Sequence, residues 1–124
     1  MTSQTELVFA YFAHYRTKDS SLYWAWEAVD DAMHELEHGL PLCLGLIDAS
    51  ENDAELAYVA AGPLEDLLMR VGAPAANALE EPVRSSIKAR LTLTCVWLSP
   101  EAEAYHKWHS LVEQYPHQRP GVDL

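Results

Sequence analysis

The sequence predicts an all-α fold, a single small domain of about six short antiparallel helices stacked as helical hairpins. Three observations carry this. Apolar residues recur at three and four positions along nearly the whole chain. The segments so marked run 8–18 residues and are separated by polar turns of two to five, short enough to make sequential helices antiparallel neighbours. The one alternating, β-branched run, Leu91-Thr92-Leu93-Thr94-Cys95-Val96-Trp97, finds no second run to pair with, and a lone strand would leave its backbone groups unsatisfied.

Leu7, Val8, Tyr11, Phe12 and Tyr15 share one face and place the first helix at about residues 4–16. Lys18-Asp19-Ser20-Ser21 supplies N-cap candidates for a second, whose stripe Leu22, Trp26, Val29, Met33 and Leu36 carries it to about His38. Gly39 then stands where a left-handed C-cap belongs, and Pro41 fits the first turn of a third helix at roughly 41–49. Leu40 to Ile47 is apolar on nearly all sides, so this helix belongs in the centre of the domain. Ser50-Glu51-Asn52-Asp53 reads as a capping turn before a short fourth helix with Leu56, Val59 and Ala60, closed by Gly62-Pro63. Pro63 at a first helical position, with Glu65 and Asp66 favourable to the dipole, opens the next helix, and Leu64, Leu67, Leu68 and Val71 face inward until Gly72.

Ala73 to Asn77 is a turn or a helix restart. Leu79 and Val83 lie in the segment that follows, and Ile87, Leu91, Thr94, Cys95 and Leu98 fit one helix stripe, so residues 90–98 are read as helix in preference to strand. Ser99-Pro100-Glu101 supplies N-cap, first position and a dipole-matched charge for a last helix with Tyr105, Trp108, Leu111 and Val112, stopping by Pro116. The domain is thus 1–116, and 117–124 a loose tail.

Charge narrows the function. The chain of 124 residues carries a net −11, which disfavours nucleic acid and anionic membranes as partners, since both depend on phosphate neutralisation. Residues 19–69 hold twelve carboxylates and no lysine or arginine; the rest of the chain sums to +1. Such a segment steers a basic protein partner, and its candidate contact residues are Trp24, Glu27, Asp30, Asp31, Asp48, Glu51, Asp53 and Glu55. Trp24 and Trp26, two apart, cannot both face the core, which leaves one of them for contact or edge packing. No apolar run approaches membrane-spanning length and the start MTSQTELVFA has no leader pattern, so a cytoplasmic location is expected. Cys43 and Cys95 both sit in apolar runs and read as buried thiols.

His34-Glu35-Leu36-Glu37-His38 matches H-E-x-x-H, in which two histidines one helical turn apart bind zinc and the glutamate activates water. A second carboxylate at Glu37, a helix ending at Gly39 and the lack of an evident third ligand weigh against it. Histidines beside a helix C-terminus among acids have a plain electrostatic reason to be there. His34 and His38 are therefore kept as an alternative metal pair only, His106 and His109 read as solvated, and no cofactor or catalytic residue is assigned.

Tyr23-Trp24-Ala25-Trp26-Glu27, the run Leu56 to Leu68 with its A-A-G-P-L-E-D-L-L core, and Val96-Trp97 resemble the bacterial domain-of-unknown-function family 6869 over about residues 22–98. The resemblance implies a small helical bacterial domain with no assigned activity, and a helix-to-helix junction in place of a metal site over residues 34–41. Three functions follow as expectations. The first is a small acidic protein-binding domain, such as an immunity protein or antitoxin neutralising a basic toxin. The second is a structural or regulatory helical domain acting in a homo-oligomer. The third is a zinc hydrolase using the HELEH residues.

Overall fold

Ser3 opens the first helix, its hydroxyl accepting the Glu6 amide at 3.1 Å, and α1 (Gln4–Thr17) ends at Lys18, which takes a left-handed conformation (φ 60°) so that its N–H donates to the His14 carbonyl. Asp19 accepts the Ser21 amide and starts a 3-10 turn, Ser20–Leu22, that leads into α2 (Tyr23–Ala32). The computed structural model describes residues 2–116, all-α with no strand among them. The expected tail at 117–124 lies outside the described residues.

Helix α2 does not run to His38. It stops at Met33, and α3 (Leu36–Ala49) begins after Glu35, whose extended backbone (φ −142°, ψ 149°) makes the corner. Gly39 is therefore an interior residue of α3 and not a C-cap, and Pro41 lies inside the helix. Two physical effects move the break upstream. A β-carbon on Gly39 would meet Leu67 Cδ1 at 2.8 Å and the Ala32 carbonyl at 2.9 Å, so glycine is there to let α3 approach the end of α2 and the helix carrying Leu67. The earlier break also places Glu37 in a first turn, where the dipole favours it, instead of in a last turn, where it does not.

Helix α3 takes the central place expected of it. It packs against α1 and α2 on one side and the later helices on the other, burying Leu42, Cys43, Leu46 and Ile47. Burial pushes the Cys43 thiol up to about 12, and no disulfide joins it to Cys95.

The fourth helix is not closed by Gly62-Pro63. Asn52 caps α4 (Asp53–Val59), which passes through one π turn, Ala60–Leu64, straight into α5 (Glu65–Val71), making a single rod. Pro63 has no N–H to donate to a residue four back, and the widened turn, in which the Glu65 amide donates to the Ala60 carbonyl, accommodates it without breaking the rod. Glu65 and Asp66 are thus mid-rod and cap nothing. The rod ends where expected, at Gly72 (φ 85°).

Leu79 joins α6 (Ala73–Ala78) and α7 (Glu80–Ser85), and Ser86 caps α8 (Ile87–Thr94). The helical reading of residues 90–98 holds to Thr94; beyond Cys95 the chain alternates, with Val96 and Leu98 buried and Trp97 67% exposed. Ser99-Pro100-Glu101 makes a turn and not the start of the last helix: the Ala102 amide closes on the Ser99 carbonyl at 2.9 Å, and α9 (Tyr105–Gln114) starts after a second such turn. Trp108 then ties α9 to the end of α8 by donating to the Leu93 carbonyl. With the π-widened rod and the α6–α7 pair each taken as one, seven rods stand among the described residues against the six expected.

Candidate functional site

Folding divides the eight predicted contact residues into two groups. Asp48, Glu51, Asp53 and Glu55 lie around the α3–α4 turn, where cations from outside the acidic segment pair with the Glu51 and Glu55 carboxylates, while those of Asp48 and Asp53 have no ion-pair partner among the described residues. Arg16 of α1 donates to Glu55 through Nε at 2.7 Å and a terminal nitrogen at 2.9 Å, and reaches Glu51 at 2.8 Å. Glu55 is 2% exposed and also accepts the Glu51 amide, so it is an internal partner and not a contact residue. Arg16's hydrogen bond holds the Glu55 carboxyl below the usual carboxylate range. Lys88 of α8 donates to the Asp48 and Ser50 carbonyls at 2.8 and 2.9 Å, covering the end of α3. A gap in cations along the sequence is therefore not a gap in space.

The other group, Trp24, Glu27, Asp30 and Asp31, lies on α2. Trp24, Glu27 and Asp31 follow at three and four and form one exposed stripe, with Trp24 44% exposed. Among the described residues neither the Glu27 nor the Asp31 carboxylate has an ion-pair partner. Asp30 belongs to the adjoining stripe and is held by Arg70 of α5, which donates to its carboxylate and to its backbone carbonyl, both at 2.8 Å.

The H-E-x-x-H residues do not share a helix. His34 precedes the Glu35 corner, and His38 lies in the first turn of α3 with its ring bonded to the Glu35 carboxylate. His34 Nε2 faces the Arg70 guanidinium at 3.3 Å, a fixed positive charge where the zincin reading needs a metal. Among the described residues no three His, Cys, Asp or Glu side chains are arranged to hold a metal ion.

Beside the α2 stripe lies a feature the sequence reading missed. Tyr11 of α1, Trp26, Val29 and Asp30 of α2, and Tyr58, Ala61, Gly62, Pro63 and Asp66 of the π-widened rod enclose a slot of about 150 Å³. Tyr58 packs on both tyrosines of α1, with ring centres 5.5 Å from Tyr11 and 4.2 Å from Tyr15, and Trp26 stacks on Tyr23. Burial, then the nearby Tyr58, drives the Tyr11 phenol far up, so it stays protonated. Burial likewise raises the Asp66 carboxyl, and Asp30 adds to the effect, while Arg70 at 3.7 Å offsets it only in part. The slot combines aromatic walls with an anionic end.

One sequence signal pointed to it. Leu56, Val59, Ala60, Leu64, Leu67 and Leu68 keep one stripe across Gly62-Pro63, which a helix end would have interrupted.

A family model matches residues 13–113, described as a family of unknown function, DUF6869. No curated protein and no solved structure matches the chain. The match reaches past the 22–98 of the resemblance on both sides and takes in every element from the end of α1 to α9; the chain belongs to the family of unknown function DUF6869.

Proposed function

We propose that this chain is a non-catalytic, acidic protein-binding domain that receives a basic partner on the exposed face of α2, in the manner of an immunity protein or antitoxin covering a basic toxin. The observation that carries the reading is the stripe Trp24, Glu27, Asp31: an exposed aromatic in line with two carboxylates that no cation among the described residues neutralises. Like charges at i and i+4 cost a helix about 0.2–0.5 kcal/mol, and a basic partner removes that cost while the indole supplies apolar contact area. The acids of the α3–α4 turn support the reading less, because Arg16 and Lys88 already cover that turn.

The test is affinity capture from the source organism, identification of the bound protein, and binding kinetics of the purified pair. The expected partner is basic, and Glu27→Lys with Asp31→Lys lowers its association rate at least tenfold while the melting temperature stays within a few degrees. A partner bound equally by that variant contradicts the reading.

A second reading, a domain that works in a homo-oligomer, is favoured by Met69 and Trp97, 55% and 67% exposed. Met69 lies one turn beyond Glu65, whose carboxylate accepts the Trp97 amide. Sedimentation decides this: a dimer dissociated by Trp97→Ala supports it, and a monomer at high concentration removes it.

A further inference from the structure

We propose that the slot at the π turn receives the side chain of a lysine presented by the basic partner. The inference rests on the docking face just described and names what the partner must place beside it. The slot opens next to the Trp24–Glu27–Asp31 stripe, since Trp26 and Asp30 occupy the neighbouring stripe of the same helix.

Its chemistry selects a long side chain with a compact cationic head. Tyr11, Trp26 and Tyr58 offer ring surface along which a methylene stem lies, and an ammonium over those faces is attracted by their quadrupoles. Asp30 and Asp66 give the slot its charge. A neutral apolar occupant would shut Asp66 off from water with only Arg70, at 3.7 Å, to balance it in part, which is costly.

Arginine fits less well. Arg70 already engages Asp30 through two terminal nitrogens, one on the carboxylate and one on the carbonyl, the fork geometry that a guanidinium uses. Asp66 lies 3.7 Å from Arg70, beyond hydrogen-bond distance, and its carboxylate remains open to a donor. A single open carboxylate at the end of an aromatic slot suits a point charge better than a second planar fork.

The experiment uses the full chain and three tripeptides, N-acetyl-Gly-Lys-Gly-amide and its norleucine and arginine counterparts, each titrated while the Trp26 indole N–H is followed by NMR. The lysine peptide is expected to shift that signal saturably, the norleucine peptide to leave it in place, and the arginine peptide to bind more weakly. Asp66→Asn is expected to weaken lysine binding at least tenfold, and Glu113→Gln, on α9 and away from both the slot and the docking face, to leave it unchanged. Gly62→Ala provides a variant that keeps every charge: its β-carbon meets the Tyr11 hydroxyl at 3.7 Å, ordinary contact that the fold tolerates while narrowing the slot, so binding falls there too. Equal shifts with lysine and norleucine, tighter arginine binding, or full binding by Asp66→Asn overturn the proposal.

The two readings fail separately. A basic partner bound with strong salt dependence, equally by wild type and Asp66→Asn, overturns the slot and keeps the docking face. A slot that takes the lysine peptide in a protein whose captured partner is indifferent to Glu27→Lys and Asp31→Lys does the reverse.

Discussion

Replacing Gly39 by alanine and Gly45 by alanine is the same chemical change in the same helix, and the structure gives the two opposite signs. Removing glycine from a helix interior gains about 0.5–1 kcal/mol in backbone entropy. At Gly45 the new β-carbon has Gln4 Nε2 at 2.9 Å, the far end of an exposed, flexible side chain that swings aside, and its other neighbours lie at 3.7 Å. The gain survives there. At Gly39 the β-carbon lands 2.8 Å from Leu67 Cδ1 and 2.9 Å from the Ala32 carbonyl, and the carbonyl is backbone at the end of α2. Overpacking of this kind costs about 1–3 kcal/mol, so Gly39→Ala loses roughly 1–2 net. Urea unfolding at constant m, with thermal melts beside it, reads the difference. Gly45→Ala is expected to raise the melting temperature by a few degrees and Gly39→Ala to lower it by about 4–8 °C. If Gly39→Ala stabilises as Gly45→Ala does, α3 does not lie against α2 and Leu67 as described, and the corner at Glu35 is misplaced.

Two carboxyl groups give opposite pH signatures. Glu55, held low by Arg16, contributes stability that is present above its ordinary value of 4.5 and lost as pH falls through the lower folded value, so Glu55→Gln flattens the acid limb of a stability–pH profile. Asp66 is raised by burial, so the wild type loses stability as pH rises above the ordinary 3.8 through the folded value. Asp66→Asn is therefore expected to be the more stable protein at pH 7, with the gap closing below that ordinary value. Gly72 has φ 85° and a β-carbon there would collide with the Glu103 carboxylate. Gly72→Ala should cost at least about 1 kcal/mol in denaturant melts, and Glu103→Ala should recover only the part due to the collision.

Helical class and the central place of α3 were legible because they depend on apolar spacing, which the sequence states directly. Punctuation was less so. Gly39 and Gly62-Pro63 carry the marks of helix ends, yet both are interior, because close approach to Leu67 and the π turn are tertiary solutions that no local propensity expresses. The apolar stripes running through both places, Leu36 to Ile47 and Leu56 to Leu68, were the better guide. Trp97 shows the converse: the alternation around it is real, with Val96 and Leu98 buried and Trp97 exposed, but it belongs to the connection that follows α8 and not to a strand. The candidate site was half visible. The α2 stripe can be read from spacing, whereas the slot exists only once Tyr11, Trp26 and Tyr58 come together around the π turn. Which acids stay open also required the fold, since Arg16, Arg70 and Lys88 reach the segment from outside it.

The central claim is that unneutralised carboxylates on α2 guide a basic partner to this face. Its most direct measurement is the association rate of the captured partner across ionic strength, for wild type and for Glu27→Gln with Asp31→Asn. Screening shortens from about 10 Å at 0.1 M salt to about 3 Å at 1 M. The wild-type rate is expected to fall steeply over that range, with a markedly shallower fall in the variant and dissociation changed less than association. A wild-type rate indifferent to salt, or a variant with the same salt dependence as wild type, contradicts the claim.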